Sequence, residues 1–373
     1  MPGNGQDLEH MRAALLLARR GLGRVAPNPA VGCILVREGP GENRVVGRGW
    51  TQPGGRPHAE TEALDRAGEA ARGATAYVSL EPCAHHGQTP PCSEALIGAG
   101  VARCIVALED PDPRVSGGGI AALREAGIEV EVGLLGEAAA ELNAGFLLRI
   151  AEGRPMVTIK LATALDGRIA TRSGESRWIT GETARAQAHL LRAEHDAVLV
   201  GSGTALFDNP RLDVRLPGLE DCLPVRVVLD SHLRLPLTHD LVARAAEQRT
   251  LLVTRIGNDP NRLAAFGDAG VEVLTVEQDA EGRPALDATL QALGEVGITR
   301  LLVEGGGQVA AALLREGLVD RLVWFRAAKV IGGDGIPAVA GFGLTQLVEA
   351  PAFERLSVEP AGEDLVETYR RVP

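Results

Sequence analysis

His58-Ala59-Glu60, followed downstream by Glu81-Pro82-Cys83-Ala84-His85-His86-Gly87-Gln88-Thr89-Pro90-Pro91-Cys92, is the stretch on which the reading of the chain turns. One imidazole and two thiolates, from His58, Cys83 and Cys92, make a ligand set for Zn²⁺. Three protein ligands leave the fourth tetrahedral position open to water, as a catalytic site requires. A structural site would want a fourth protein ligand, which His85 or His86 could supply. Cys83 is expected after a strand and Cys92 at the start of a helix, where the amide dipoles favour a thiolate. His58 and Glu60 are expected in the first turn of another helix. Glu60, two residues from a ligand, can move protons to and from water at the metal without touching the ion.

Outward from this site the pattern is that of an α/β protein. Residues 7–20 carry Leu8, Met11, Leu15 and Ala18 at helical spacing, with Asp7 as the expected cap. Residues 31–36 and 44–50 read as strands about a Gly/Pro-rich turn, and 58–71 as a helix. Strand-like runs at 76–80, 103–108 and 128–132 alternate with helices near 92–99, 120–126 and 137–150. This predicts a three-layer α/β domain over residues 1–150. The polar break at 151–155 opens a second domain, 151–373, with strands near 156–162, 197–201, 225–230, 250–254, 271–276, 300–304 and 321–325, closed by a hairpin of 353–358 and 365–370.

Composition narrows the function classes. A chain of 373 residues, 45% hydrophobic and 23% charged, is expected to form about two soluble globular domains. No apolar run approaches a membrane span and the first residues do not resemble a secretory signal, so the expectation is a cytoplasmic protein. Five scattered cysteines do not form a disulfide framework, and Cys33, Cys104 and Cys222 read as buried small hydrophobes. Residues 1–147 hold 18 acidic and 13 basic side chains within a whole-chain charge of −11, so both halves are acidic. That balance disfavours a nucleic-acid partner and favours a small molecule. The sequence leaves self-association into a homo-oligomer open. Of 38 basic residues only Lys160 and Lys329 are lysines; a lysine kept among arginines points to a need for a compact ammonium.

H-x-E with a downstream P-C-x-x-C is the known signature of zinc nucleobase deaminases, from which this chain departs by placing eight residues between its cysteines. With that longer spacing, the string EPCAHHGQTPPC, the upstream Pro27-Asn28-Pro29-Ala30-Val31-Gly32 and the downstream Asp110-Pro111-Asp112-Pro113, the chain resembles the bifunctional riboflavin-biosynthesis deaminase–reductase family. Lys160 to Ala170 (KLATALDGRIA), Ser173 to Thr180 (SGESRWIT) and Val303-Glu304-Gly305-Gly306-Gly307 resemble its reductase half.

The resemblance implies a cytidine-deaminase-like amino-terminal domain and a dihydrofolate-reductase-like carboxy-terminal one. It implies hydrolysis of a phosphorylated pyrimidine, 2,5-diamino-6-(5-phosphoribosylamino)pyrimidin-4(3H)-one, followed by reduction of the ribosyl chain with NADPH. Asn28 would hold the pyrimidine ring, although an Asn between prolines is also a common turn former. The family often has a basic residue in the segment that here reads Val115-Ser116-Gly117-Gly118-Gly119, so a phosphate contact there would fall to backbone amides. In the second half the cofactor would meet Ala162, Trp178, Thr204, Asp208, Ser231, Gly306 and Gly307. The substrate would meet Ser176, Arg192, Leu212, Arg215 and Glu304, with the two arginines as phosphate forks. Lys160, in an apolar strand, is expected to pair with Glu304. Two other readings stand beside this one: a nucleoside or transfer-RNA deaminase with an unrelated appended domain, and a non-catalytic zinc-stabilised binding module.

Overall fold

A computed structural model describes residues 5–372 apart from 40–42, 87–89 and 114. Part of the turn expected between the first two strands, and Gly87, Gln88 and Thr89 of the cysteine string, therefore lie outside the described residues. The chain divides into two compact units, Met1–Glu152 and Gly153–Pro373. Among the described residues no helix is long and apolar enough to cross a membrane.

The first unit runs α1 (Gly5–Ala18), β1 (Gly32–Arg37), β2 (Arg44–Trp50), α2 (Ala59–Ala67), β3 (Thr75–Val78), α3 (Cys92–Ala99), β4 (Arg103–Val106), α4 (Gly118–Glu125), β5 (Glu129–Val132), α5 (Gly136–Leu142) and α6 (Ala144–Glu152). Its sheet has the order β2-β1-β3-β4-β5. β1 is antiparallel to β2 and β3, while β3, β4 and β5 are parallel. Successive side chains of a strand point to opposite faces, so each strand feeds two cores. Cys33, Leu35, Ala76 and Val78 pack with Ala63, Leu96 and Leu123 on one side. Ile34, Val36, Tyr77 and Ile105 pack with Met11, Leu15 and Ala139 on the other.

Three local expectations are corrected. Asp7 is not a cap: it lies buried within α1 and accepts hydrogen bonds from the Tyr77 hydroxyl at 2.6 Å and from Arg103 at 3.2 and 3.3 Å. The single helix expected over 137–150 is two, broken at Asn143. The Asn143 amide turns away to pair with the backbone of Ala30, accepting its N–H at 2.9 Å and donating to its carbonyl at 3.0 Å. Finally, His58 is the N-cap of α2 rather than part of its first turn, with extended φ −72° and ψ 162° after Pro57. It makes no side-chain cap, which leaves its imidazole for other partners.

The second unit runs β6 (Met156–Thr163), β7 (Arg168–Ala170), α7 (Glu182–Ala193), β8 (Ala197–Gly201), α8 (Ser202–Asp208), β9 (Val225–Leu229), α9 (Asp240–Ala243), β10 (Thr250–Arg255), α10 (Pro260–Asp268), β11 (Glu272–Val276), α11 (Leu286–Glu295), β12 (Arg300–Val303), α12 (Gly307–Arg315), β13 (Arg321–Arg326), β14 (Ile336–Pro337), β15 (Phe353–Ala361) and β16 (Asp364–Arg371). Nine strands form one sheet in the order β11-β10-β9-β8-β12-β6-β13-β16-β15. The first seven in that order are parallel, and the closing hairpin pairs antiparallel with β13. Helices cover both faces, giving one core around Val157, Ile159, Leu301 and Leu313 and another around Val198, Val200, Leu302 and Phe266. The small pair β7 and β14 is too short to leave a periodic signal and had no counterpart in the sequence reading.

The seat of α2 is a contact between backbones. A Cβ on Gly49 of β2 would stand 2.0 Å from the Ala59 carbonyl oxygen. Gly49→Ala is therefore expected to destabilise the protein by about 1–3 kcal/mol through overpacking, measured as a lower denaturant midpoint, with zinc content falling alongside because α2 carries the site.

Candidate functional site

Strand ends and helix starts bring the metal-site side chains together. His58 caps α2, Glu60 follows in its first turn, Cys83 lies in the segment after β3 and Cys92 opens α3. The ligand atoms of His58, Cys83 and Cys92 lie within 4.8 Å of one another. His58 Nδ1 is 3.3 Å from Cys92 Sγ and 3.6 Å from Cys83 Sγ. Bonds of about 2.3 Å to sulfur and about 2.0 Å to nitrogen at the tetrahedral angle put S and N roughly 3.5 Å apart, so the cluster fits zinc. Among the described residues neither His85 nor His86 joins it, and His86 Nε2 instead lies 3.0 Å from Glu94. That removes the fourth protein ligand a structural site would want.

The electrostatics divide the two thiols: the hydrogen bond to Cys83, with burial, pushes the Cys92 thiol well up, while Cys83 is favoured as the thiolate. Hydrogen bonds from the Cys92 thiol, from His58 and from the Cys92 N–H hold the Cys83 thiol down at about 4. Burial pushes the Glu60 carboxyl up to about 7, and the nearby Cys83 thiolate adds to the rise. A carboxyl in that range can both take and return a proton near neutrality.

His58, Glu60 and Cys83 open into a cavity of ≈ 340 Å³ that also meets Asn28, Arg56, Asp110, Asp112 and Arg149. The backbone amides of Val115, Ser116, Gly117, Gly118 and Gly119, to which a phosphate contact would fall, are all hydrogen-bonded within the chain. Val115 and Ser116 N–H donate to the Asp112 carbonyl and Gly118 N–H to that of Val115, at 2.7–3.0 Å. The Gly117 and Gly119 amides donate to the buried Glu81 carboxylate at 3.0 and 2.9 Å. Glu81, Arg56 and Arg149 were not singled out in the sequence. Only the Glu preceding Pro82-Cys83 carried a motif signal.

In the second unit the carboxyl ends of parallel strands converge, the usual ligand crevice of such sheets. Lys160, Ala162, Glu304, Gly306 and Gly307 line one cavity of ≈ 150 Å³. Thr204 touches its rim, because a Cβ on Gly305 would lie 3.0 Å from the Thr204 side chain. Lys160 Nζ stands 3.7 Å from Glu304. Arg192 departs from the expected phosphate fork: its Nε and Nη2 donate to Glu304 at 2.5 and 3.0 Å, and its Nη1 donates to the Asp213 carbonyl at 2.8 Å. Burial alone would raise the Glu304 carboxyl, yet Arg192 and Lys160 hold it down at about 2.

The remaining candidates lie outside that cavity's lining. Leu212 is buried in the core with Val198 and Val228, so its side chain has a packing role. Trp178 is exposed beneath the Arg185 guanidinium, 4.5 Å from its ring, and its carbonyl accepts a hydrogen bond from Lys329 at 2.8 Å. Ser176, Asp208 and Arg215 are exposed, and Ser231 follows β9.

Known proteins match both halves. Residues 4–108 match the family described as cytidine and deoxycytidylate deaminase zinc-binding region, and residues 155–366 match the RibD C-terminal domain. The riboflavin biosynthesis protein RibD of Aquifex aeolicus is 42% identical over 365 residues, covering 98% of each chain. That of Escherichia coli is 41% identical, covering 96% of this chain and 98% of its own. The chain belongs to the bifunctional riboflavin-biosynthesis deaminase–reductase family. It is accordingly a zinc deaminase and a reductase in one polypeptide. Solved relatives agree: Acinetobacter baumannii RibD superposes with a TM-score of 0.87 at 37% identity over 99% of both chains. The Thermotoga maritima diaminohydroxyphosphoribosylaminopyrimidine deaminase/5-amino-6-(5-phosphoribosylamino)uracil reductase gives 0.84 at 34% identity, covering 98% of this chain and 99% of its own.

Two outcomes follow from the site geometry. Cys83→Ser is expected to cut bound zinc from about one ion per chain to a small fraction, read by metal analysis, with deamination lost in proportion. For Glu304, a carboxyl held below its unfolded value adds stability above about pH 4.5 that is lost as pH falls toward about 2. The stability gap between the wild type and Glu304→Gln should therefore narrow between about pH 6 and about pH 3, checked by urea midpoints at both.

Proposed function

We propose that the first site deaminates 2,5-diamino-6-(5-phosphoribosylamino)pyrimidin-4(3H)-one and that the second reduces the resulting 5-amino-6-(5-phosphoribosylamino)uracil to its ribityl form with NADPH. The observation that carries the reading is Glu60, buried two residues past the ligand His58 and facing the same cavity as Asn28. Zn²⁺ held by His58, Cys83 and Cys92 supplies the Lewis-acid chemistry of the first step. Glu60 takes a proton from the attacking water and returns it to the exocyclic amine, which leaves as ammonia. Asn28 offers a donor and an acceptor to the pyrimidine edge. Arg56 and Arg149, the arginines lining the cavity, suit the substrate phosphate.

In the second site, NADPH supplies the hydride. The glycine turn ahead of α12, where Gly306 sits at φ 85°, lets backbone amides approach a pyrophosphate, with Thr204 beside it. Lys160 faces the ribose carbonyl, Glu304 holds Lys160, and Arg192 holds Glu304. Ala162, Trp178, Asp208 and Ser231 complete the cofactor contacts, and Ser176, Arg215 and the backbone at Leu212, whose side chain packs in the core, those to substrate. The acidic balance of both halves supports a free small-molecule substrate over a nucleic acid.

Glu60→Gln separates the two activities. The variant keeps the side-chain shape and is expected to bind zinc while losing about 10²- to 10⁴-fold or more in deamination rate. It should still oxidise NADPH when given the deaminated intermediate. Loss of both activities in a folded, zinc-loaded protein would overturn the two-site reading.

A further inference from the structure

The Glu81 carboxylate is used in full by one stretch of chain. Its Oε1 accepts the N–H groups of Gly119 at 2.9 Å and Ile120 at 3.2 Å. Its Oε2 accepts those of Gly117 at 3.0 Å and Asp110 at 3.2 Å. Its own N–H donates to the Leu108 carbonyl at 2.9 Å. The side chain is buried, so these bonds form away from competing water. Two of the four donors, Gly119 and Ile120, lie in the first turn of α4 and a third, Gly117, is its N-cap, where orphan amides and the helix dipole favour an anion. The protein fills that position with its own carboxylate.

Of the residues gathered this way, Asp110 lines the cavity that holds Glu60, as do the nearby Asp112 and Val115 and Glu81 itself. Glu81 also stands two residues before Cys83 on the same strand exit. Gly119 seats its backbone directly against the cysteine exit, where a Cβ added to it would lie 1.9 Å from the Pro82 carbonyl oxygen. One side chain thus fixes the cavity wall at a set distance from the metal ligands. We propose that Glu81 is a positioning residue for deamination, one that holds the substrate-facing wall rather than the zinc or the proton shuttle. The proposal rests on the deaminase reading of this site.

Glu81→Gln tests it. An amide has one accepting end, so its NH₂ group must face two N–H donors whichever way it turns. In the full chain, KM for the diaminopyrimidinone phosphate should rise at least about tenfold, with kcat falling less, zinc near one per chain and the reductase unchanged. An unchanged KM, or activity lost in step with zinc, overturns the proposal. Hydrogen exchange on the wild type supplies a test that does not depend on the variant folding. The amides of Gly117, Gly119 and Ile120 should be strongly protected, and exchange at open-loop rates would overturn the proposal equally. A wild type that does not release ammonia from this substrate would defeat the deaminase reading itself, a result distinct from either of these.

Discussion

Two thiols, an imidazole and a carboxylate crowded into a buried space form a constraint that the first unit is organised to meet. Burying a thiolate or carboxylate without compensation is costly. Each is therefore supplied with a fixed partner: the Cys92 N–H reaches Cys83 at 3.3 Å, and the extended cap leaves His58 directed at both sulfurs. A cation suits the remaining excess of negative charge. The close backbone seat of α2 on β2 serves the same end, because the imidazole and Glu60 keep their spacing from the cysteines only if that helix cannot lift.

The second unit meets a similar constraint without a metal. Glu304 is buried, and its charge is answered by Arg192 in bidentate fashion and by Lys160 from the neighbouring parallel strand. Pairing of this quality is needed for a charge out of water to be tolerated, and removing one member leaves the other exposed to the full desolvation cost. Here the pairing also sets direction, since Arg192 reaches from α7 and Lys160 stands in the cavity.

The metal ligands were readable from the sequence because few residue types bind zinc and their spacing placed them at a strand exit and two helix starts. The alternating strands were readable from periodicity alone. What escaped was decided by contacts distant in sequence. Residues 137–150 carry an unbroken helical pattern, and only the pairing of Asn143 with Ala30, 113 positions away, divides them. Asp7 has the chemistry of a cap, yet Tyr77 and Arg103 claim it. The glycines at 117–119 looked free to receive a ligand. The engagement of Gly117 and Gly119 depends on Glu81, whose motif position says nothing about where its oxygens point.

The helical pair after β5 has a meaning for how this polypeptide can be divided. Phe146, Arg149 and Ile150 of α6 line the deaminase cavity, and Asn143 just before them grips the loop that carries Asn28. What looks along the sequence like a connecting segment is catalytic-domain wall almost to its last turn. A gene split or transplant of the amino-terminal half that ended the chain between 133 and 145 would leave the zinc ligands in place and yet deliver an enzyme open on one side.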